Sequence, residues 1–284
     1  MDDPMDRYVG QLVNQTPDQQ LVAQRRADIN RLLKAAGILS TFESGSFNHG
    51  TAIPKHSDVD LMARIPYSWR ALAPYSALVK TRDALATESY RFSSLKISSP
   101  AVKVQYSYGP SFEVAPAYFD RLTPGGDDVF EIPAPGEWVA SAPSAHNRYV
   151  SRQNDRLGKR VKPLVRLLKA WKYHADVPVS STYLELRTAE HAAGESSIHY
   201  QIDMSSILRK IVVADFREMN DPIGIVTRIR PCSSEDNRRK ALAAAKSAKD
   251  YLAIAREAKD RSDTSSYWKA MYSIFGYDFP YPRW

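Results

Sequence analysis

The stretch Gly45-Ser-Phe-Asn-His-Gly-Thr-Ala-Ile-Pro-Lys-His-Ser-Asp-Val-Asp-Leu61 decides how this chain is read. From Ser44 to Thr51 the residues are mostly small and polar, which suits a tight loop or the start of a helix. From Ser57 to Ile65 the pattern alternates into a strand. Successive side chains on a strand point to opposite faces, so Asp58 and Asp60 share one face while Val59 and Leu61 turn toward a core. Two adjacent carboxylates repel, and burying the pair without a cation is unfavourable. Hard oxygen donors at this spacing suit Mg²⁺ or Mn²⁺, which complete their shells with phosphate oxygens and water. Just upstream, Gly45 and Ser46 offer backbone N–H groups and a hydroxyl to a triphosphate tail. Taken alone, an Asp-x-Asp also describes an ordinary exposed strand edge.

Working outward, a helix is predicted over Gln19–Ala36, stopped by Gly37, and a second over Trp69–Thr87. Three strand-like runs follow at Tyr90–Ile97, Ala101–Tyr108 and Ser111–Tyr118, after which prolines thicken from Pro116 to Pro143 and imply loops or an edge strand. In the third run Phe112 and Val114 fit a core face, leaving Glu113 on the other face as a third carboxylate. Three such groups can hold two metal ions roughly 3.5–4 Å apart. Beyond Ser144 the pattern turns helical. A long helix is expected from Ala145 to His174, bent or interrupted near Pro163, with further helices over Thr182–Ala193, Ser205–Phe216, Glu235–Lys259 and Ser265–Phe275. The implied class is α+β: an α+β half over residues 1–150, and an all-helical lobe over 151–284 hinged on the long basic helix.

Composition narrows the function classes. The 284 residues hold one cysteine, Cys232, so no internal disulfide framework exists and a reducing compartment is expected. No run is apolar enough to span a membrane, and the acidic, polar first residues do not read as an export signal, so a cytoplasmic protein is expected. The six histidines show no metal-ligand spacing, which argues against a zinc site. Net charge is +7, and between Arg148 and Lys172 nine basic residues stand against Asp155 alone. Such a stripe attracts polyanions, including nucleoside triphosphates and nucleic acid, although a solvated helix face has the same appearance.

With its Gly-Ser, spacer, Asp-x-Asp and later strand acid, the chain resembles the polymerase-beta nucleotidyltransferase superfamily. Residues 162–192 (KPLVRLLKAWKYHADVPVSSTYLELRTAEHA), the later DPIG and the ending YWKAMYSIFGYDFP are similar to the CD-NTase family, the bacterial relatives of cyclic GMP-AMP synthase and oligoadenylate synthase. The resemblance implies a polymerase-beta-like core, a helical lobe closing the active-site cleft, and two Mg²⁺ (or Mn²⁺) ions held by Asp58, Asp60 and Glu113. It implies that Gly45, Ser46, Lys169 and Ser181 position the donor triphosphate. Thr182 stands where the family usually carries a base-stacking tyrosine, with Tyr183 as the substitute, and Glu113 stands where aspartate is usual.

The resemblance further implies synthesis of a cyclic di- or trinucleotide second messenger from NTPs in bacterial anti-phage (CBASS) signalling, acting on a downstream effector, with a regulatory protein or peptide as a further partner. Two other readings remain open on the residues. One is a nucleotidyltransferase that makes linear oligonucleotides or modifies a small molecule or an RNA end. The other is an inactive relative that binds RNA or a partner protein. DNA activation is not expected, because no cysteine-rich insertion is present.

Overall fold

The computed structural model describes residues 3–14, 18–53, 56, 58–226 and 228–281. Pro54, Lys55 and Ser57, between the Gly45-Ser46 segment and Asp58, lie outside the described residues. In chain order the elements are α1 (Pro4–Asn14), α2 (Gln19–Ala35), β1 (Ser40–Ser44), α3 (Gly45–His49), β2 (Val59–Arg64), α4 (Pro74–Ala86), β3 (Ser94–Ser98), β4 (Ala101–Gln105), β5 (Phe112–Leu122), β6 (Asp128–Ala134), β7 (Glu137–Ser141), α5 (Pro143–Arg156), α6 (Val161–His174), α7 (Ser181–Ala193), α8 (Tyr200–Val213), β8 (Met219–Asn220), β9 (Arg228–Ile229), α9 (Glu235–Asp260) and α10 (Thr264–Phe275). Two units are formed, one of residues 16–147 and one of residues 1–15 with 148–284. The boundary near residue 148 falls inside α5.

In the first unit a mixed seven-stranded sheet runs β1-β2-β5-β4-β3, with β6 and β7 continuing from β5. Strands β2 and β5 are parallel, and the remaining pairs are antiparallel. Alternation decides which side is dry. Val59, Leu61, Val102, Val104, Phe112 and Val114 are buried in a core shared with Ile29 and Leu33 of α2 and Leu78 and Leu85 of α4. Residues of the opposite parity (Asp60, Lys103 and Glu113) therefore face the other side of the sheet. Further along that side Met62, Ala117 and Phe130 close a smaller apolar cluster with Phe42 and Phe119.

Pro116 does not end its strand, and the hydrogen-bond pattern explains why. Ser111 and Ala117 offer their carbonyls to Val59 and Ile65, so odd-numbered residues of β5 face β2. Pro116 faces the opposite edge, where pairing to β4 has stopped at Val114 and pairing to β6 begins only at Tyr118. Its missing N–H is needed by neither neighbour.

The second unit is helical apart from the short β8–β9 pair. Its first helix lies outside the sheet unit. Met5, Tyr8, Val9 and Leu12 of α1 are buried, and Tyr8 packs on Phe275 and Phe279. The single long helix expected over Ala145–His174 is two helices. The break falls at Leu157–Arg160, where Gly158 and Lys159 take positive φ (62° and 63°). Pro163 sits in the first turn of α6, where a missing N–H has no intrahelical partner to lose. Among the described residues no helix is long and apolar enough to cross a membrane.

The basic stripe is divided: Arg148, Arg152, Arg156 and Lys159 are exposed, while Lys169 is buried and the other four are partly buried. Arg156 donates to the carbonyls of Ala192 (2.5 Å) and Glu195 (2.8 Å) at the end of α7, and Arg160 donates to Ile198 O and Asp6. Placing cations on the last carbonyls of a helix satisfies groups the helix itself cannot.

Candidate active site

Asp58 directly precedes β2, Asp60 lies on it, and Glu113 is Asp60's register partner on β5. Lys103 on β4 is the register partner of Glu113 from the other side. Its ammonium donates to Asp58 Oδ2 at 2.7 Å and lies 3.9 Å from Glu113 Oε1. Ser111 donates its hydroxyl to the second Asp58 oxygen, Oδ1. The side chains of Asp58, Glu113 and Lys103 are 21%, 34% and 33% exposed, so all three remain open to solvent and to ions.

Two features hold this face in shape. Gly45 begins α3 with φ of +62°, and a Cβ there would stand 1.7 Å from Asp60 Oδ2. Any other residue would be strained and would push the carboxylate aside. Ser44, immediately before it, is the register partner of Asp60 on β1, which brings the Gly45-Ser46 segment beside the acids. Ser46 is half-buried in the first turn of α3. On the other flank the buried Arg25 of α2 donates to the carbonyls of Tyr108 and Pro110 and stacks its guanidinium 4.0 Å from the Tyr106 ring centroid. That clamp fixes the turn that delivers Ser111 to Asp58.

These donors suit a divalent cation: hard carboxylate oxygens from neighbouring strands, on an open face. The lysine among them was not singled out in the sequence, although the alternation of β4 alone puts it on the outward face.

The remaining expected residues are in the helical unit, and Lys169 is not at a surface. Its side chain is 0% exposed and its ammonium lies 2.5 Å from Glu185 Oε1, itself 7% exposed. Lys172, one turn later, donates to Ser181 Oγ at 2.9 Å and is only partly buried. Burial also pulls the Lys162 ammonium and the Arg166 guanidinium on α6 below their usual pKa values. Thr182 is exposed. Tyr183 is fully buried, stacked on Phe216 and donating its hydroxyl to Arg217 O, so it is no substitute for a base-stacking tyrosine.

A second acid-and-histidine group went unnoticed in the sequence. His191, Glu195 and Asp203 bring ligand atoms within 4.8 Å of one another, and the His-x-x-x-Glu spacing across the C-terminal end of α7 is its signal in the sequence. Asp203 is already engaged by His191 Nε2 (2.7 Å) and by the His199 backbone N–H (2.6 Å), and Lys210 Nζ lies 3.0 Å from His191 Nδ1. Those contacts make it a helix-end brace.

The mixed sheet is that of a polymerase-beta-like nucleotidyltransferase core, and the glycine under Asp60 and the three acids lie on one face of it. Residues 12–154 match the family model described as the Second Messenger Oligonucleotide or Dinucleotide Synthetase domain, and the chain belongs to that family, the CD-NTases. Similar solved structures include an Escherichia coli CdnC in complex with a HORMA protein (TM-score 0.70, 18% identity, covering 98% of this chain and 97% of that one). The Bradyrhizobium diazoefficiens CD-NTase CdnG in complex with GTP scores 0.70 at 16% identity, covering 97% and 95%. The Vibrio cholerae cyclic AMP-GMP synthase DncV with a linear intermediate scores 0.63 at 17% identity, covering 84% and 69%. These likenesses are of fold. No curated protein matches the chain in sequence.

Proposed function

We propose that this nucleotidyltransferase joins nucleoside triphosphates into a cyclic di- or trinucleotide with release of pyrophosphate. The observation that carries the reading is the register of Asp60 with Glu113, beside Asp58 and over the bare Cα of Gly45. In each step a 3′-hydroxyl oxygen forms a bond to the α-phosphorus of a donor, the bond from that phosphorus to the pyrophosphate oxygen breaks, and the hydroxyl proton passes to a carboxylate of the cluster. The linear product then re-enters as its own acceptor, and a second such displacement closes the ring.

Asp58, Asp60 and Glu113 would hold Mg²⁺ or Mn²⁺, two ions in the family pattern. When bound, these cations supply charge stabilisation to the attacking and leaving oxygens. Asp60 is kept in place by the Gly45 backbone, and Asp58 by Ser111 and Lys103. Gly45 and Ser46 suit the phosphates on this face. In the helical unit, Lys172 with Ser181 is the cation–hydroxyl pair suited to phosphate oxygens. We assign Lys169 the role of holding Glu185 and the α6–α7 packing behind that pair. Exposed Thr182 is the neighbouring candidate for base contact.

The setting we propose is bacterial anti-phage signalling from the cytoplasm, with the cyclic product read by a separate effector. The relative bound to a HORMA protein makes a regulatory protein partner a natural extension. The test is incubation of purified protein with four α-labelled NTPs and Mg²⁺ or Mn²⁺, followed by phosphatase and chromatography. A phosphatase-resistant product absent from the Asp58→Ala/Asp60→Ala variant supports the proposal. A product whose 5′ phosphates are all removable would make the enzyme a linear-oligonucleotide synthase, and label on added RNA would make it a terminal transferase.

A further inference from the structure

We propose that Lys103 is a built-in cation of the acid cluster: it holds Asp58 and Glu113 together before metal arrives and competes with divalent metal for their oxygens. This rests on the reading of Asp58, Asp60 and Glu113 as metal ligands. The ammonium donates at 2.7 Å to Asp58 Oδ2 and sits 3.9 Å from Glu113 Oε1. That places one positive charge against two of the three proposed ligands.

The placement is set by the fold. Val102 and Val104 on either side are fully buried on the opposite face of the sheet, so the side chain between them emerges on the acid face. Antiparallel register sets it directly opposite Glu113. The other Asp58 oxygen is held by Ser111, which leaves Oδ2 as the one Lys103 takes.

Two consequences follow from electrostatics. Three carboxylates drawn together by β2 and β5 repel one another, and a fixed ammonium offsets that repulsion in the metal-free enzyme. A divalent ion seeking Asp58 and Glu113 meets a like charge and must displace it from Oδ2, so its binding is weakened. Removing the charge while keeping the length of the side chain reverses both effects. Groups adjoining metal ligands typically change metal affinity by about 10–100-fold when altered.

The experiment is a Mn²⁺ titration of the full chain, followed by electron paramagnetic resonance without nucleotide, on wild type, Lys103→Met, Lys103→Gln and Lys103→Arg. Thermal melting is run with and without Mn²⁺ on the same samples. Expected are Kd values about tenfold lower or more in the Met and Gln variants, near wild type in Lys103→Arg. Metal-free melting midpoints should fall in Met and Gln and be restored by Mn²⁺. Should Lys103→Met fail to fold, Lys103→Gln carries the same readout. Unchanged or weaker Mn²⁺ binding in the charge-removing variants, beside a wild type that binds, overturns the role of Lys103 alone. No Mn²⁺ binding by any of the four overturns the metal-ligand reading, and the role of Lys103 with it.

Discussion

The two units handle buried charge in opposite ways. On the sheet, Asp58, Glu113 and Lys103 meet at a face where each keeps a fifth to a third of its side chain exposed. In the helical unit, Lys169 and Glu185 are withdrawn from solvent and satisfied by each other at 2.5 Å. A charge that must receive a ligand has to remain reachable and exchangeable, as the first set does. A charge sealed with its counter-ion has no exchange to make, and its removal leaves a bare charge in the core. The same helix carries both kinds: Lys172, three residues after Lys169, stays partly open and meets Ser181.

That contrast can be broken at several points. The largest effect is expected at the sheet: Asp58→Ala or Asp60→Ala should lower the turnover of NTPs by about 10²–10³-fold or more while melting behaviour is kept, checked by labelled-product assay and calorimetry. Gly45→Ala attacks the same face from below. Moving the Asp60 carboxylate should lower turnover by about 10²-fold, measured as kcat at saturating NTP.

The helical pair should respond in the other currency. Lys169→Met strands Glu185 and should lower stability by about 3–5 kcal/mol in urea unfolding, whereas Lys169→Met/Glu185→Leu should recover most of it. A double variant as unstable as the single one would show that the pair is not the source of the loss. Lys172→Ala should leave stability near wild type and raise KM for NTP about tenfold, the equivalent of one charge-assisted hydrogen bond.

The smallest effect is expected at a surface pair remote in kind from both. Hydrogen bonds from Arg31, with Arg91 adding to them, hold the Glu88 carboxyl down at about 2, below the ordinary 4.5. Because the folded value is the lower one, any stability this group contributes is present above pH 4.5 and is lost as pH falls toward 2. Glu88→Gln should remove that small contribution at neutral pH and so flatten the acid limb, the two proteins converging as pH falls toward 2, read from melting midpoints across pH.

Much of the sheet face was legible in the chain. Strand alternation puts Asp58 and Asp60 together and turns Glu113 outward, and the small residues at Gly45-Ser46 announce a tight segment. The pairing of Asp60 with Glu113 was not legible, because register between strands so far apart in sequence depends on long-range packing. Lys103 was hidden for the same reason: its outward face could be read from Val102 and Val104, its neighbours across the sheet could not. On α6 the convention that a lysine faces solvent misleads, since Glu185 on the next helix supplies the buried Lys169 with a counter-charge. The helix break was expected at Pro163 and came at Gly158-Lys159, because a first-turn proline loses no hydrogen bond. Helix α1 carried a readable apolar spacing in Met5, Tyr8, Val9 and Leu12 beneath its polar composition.

The most direct test sets the two kinds of charge against each other in one assay. Pyrophosphate released from NTPs with Mg²⁺ or Mn²⁺ would be measured for wild type, Asp60→Asn and Lys169→Met/Glu185→Leu, each first shown to be folded by circular dichroism. Release is expected from wild type and from the double helical variant, with none above background from Asp60→Asn. Full release from Asp60→Asn, or its loss in a folded Lys169→Met/Glu185→Leu, would contradict that expectation.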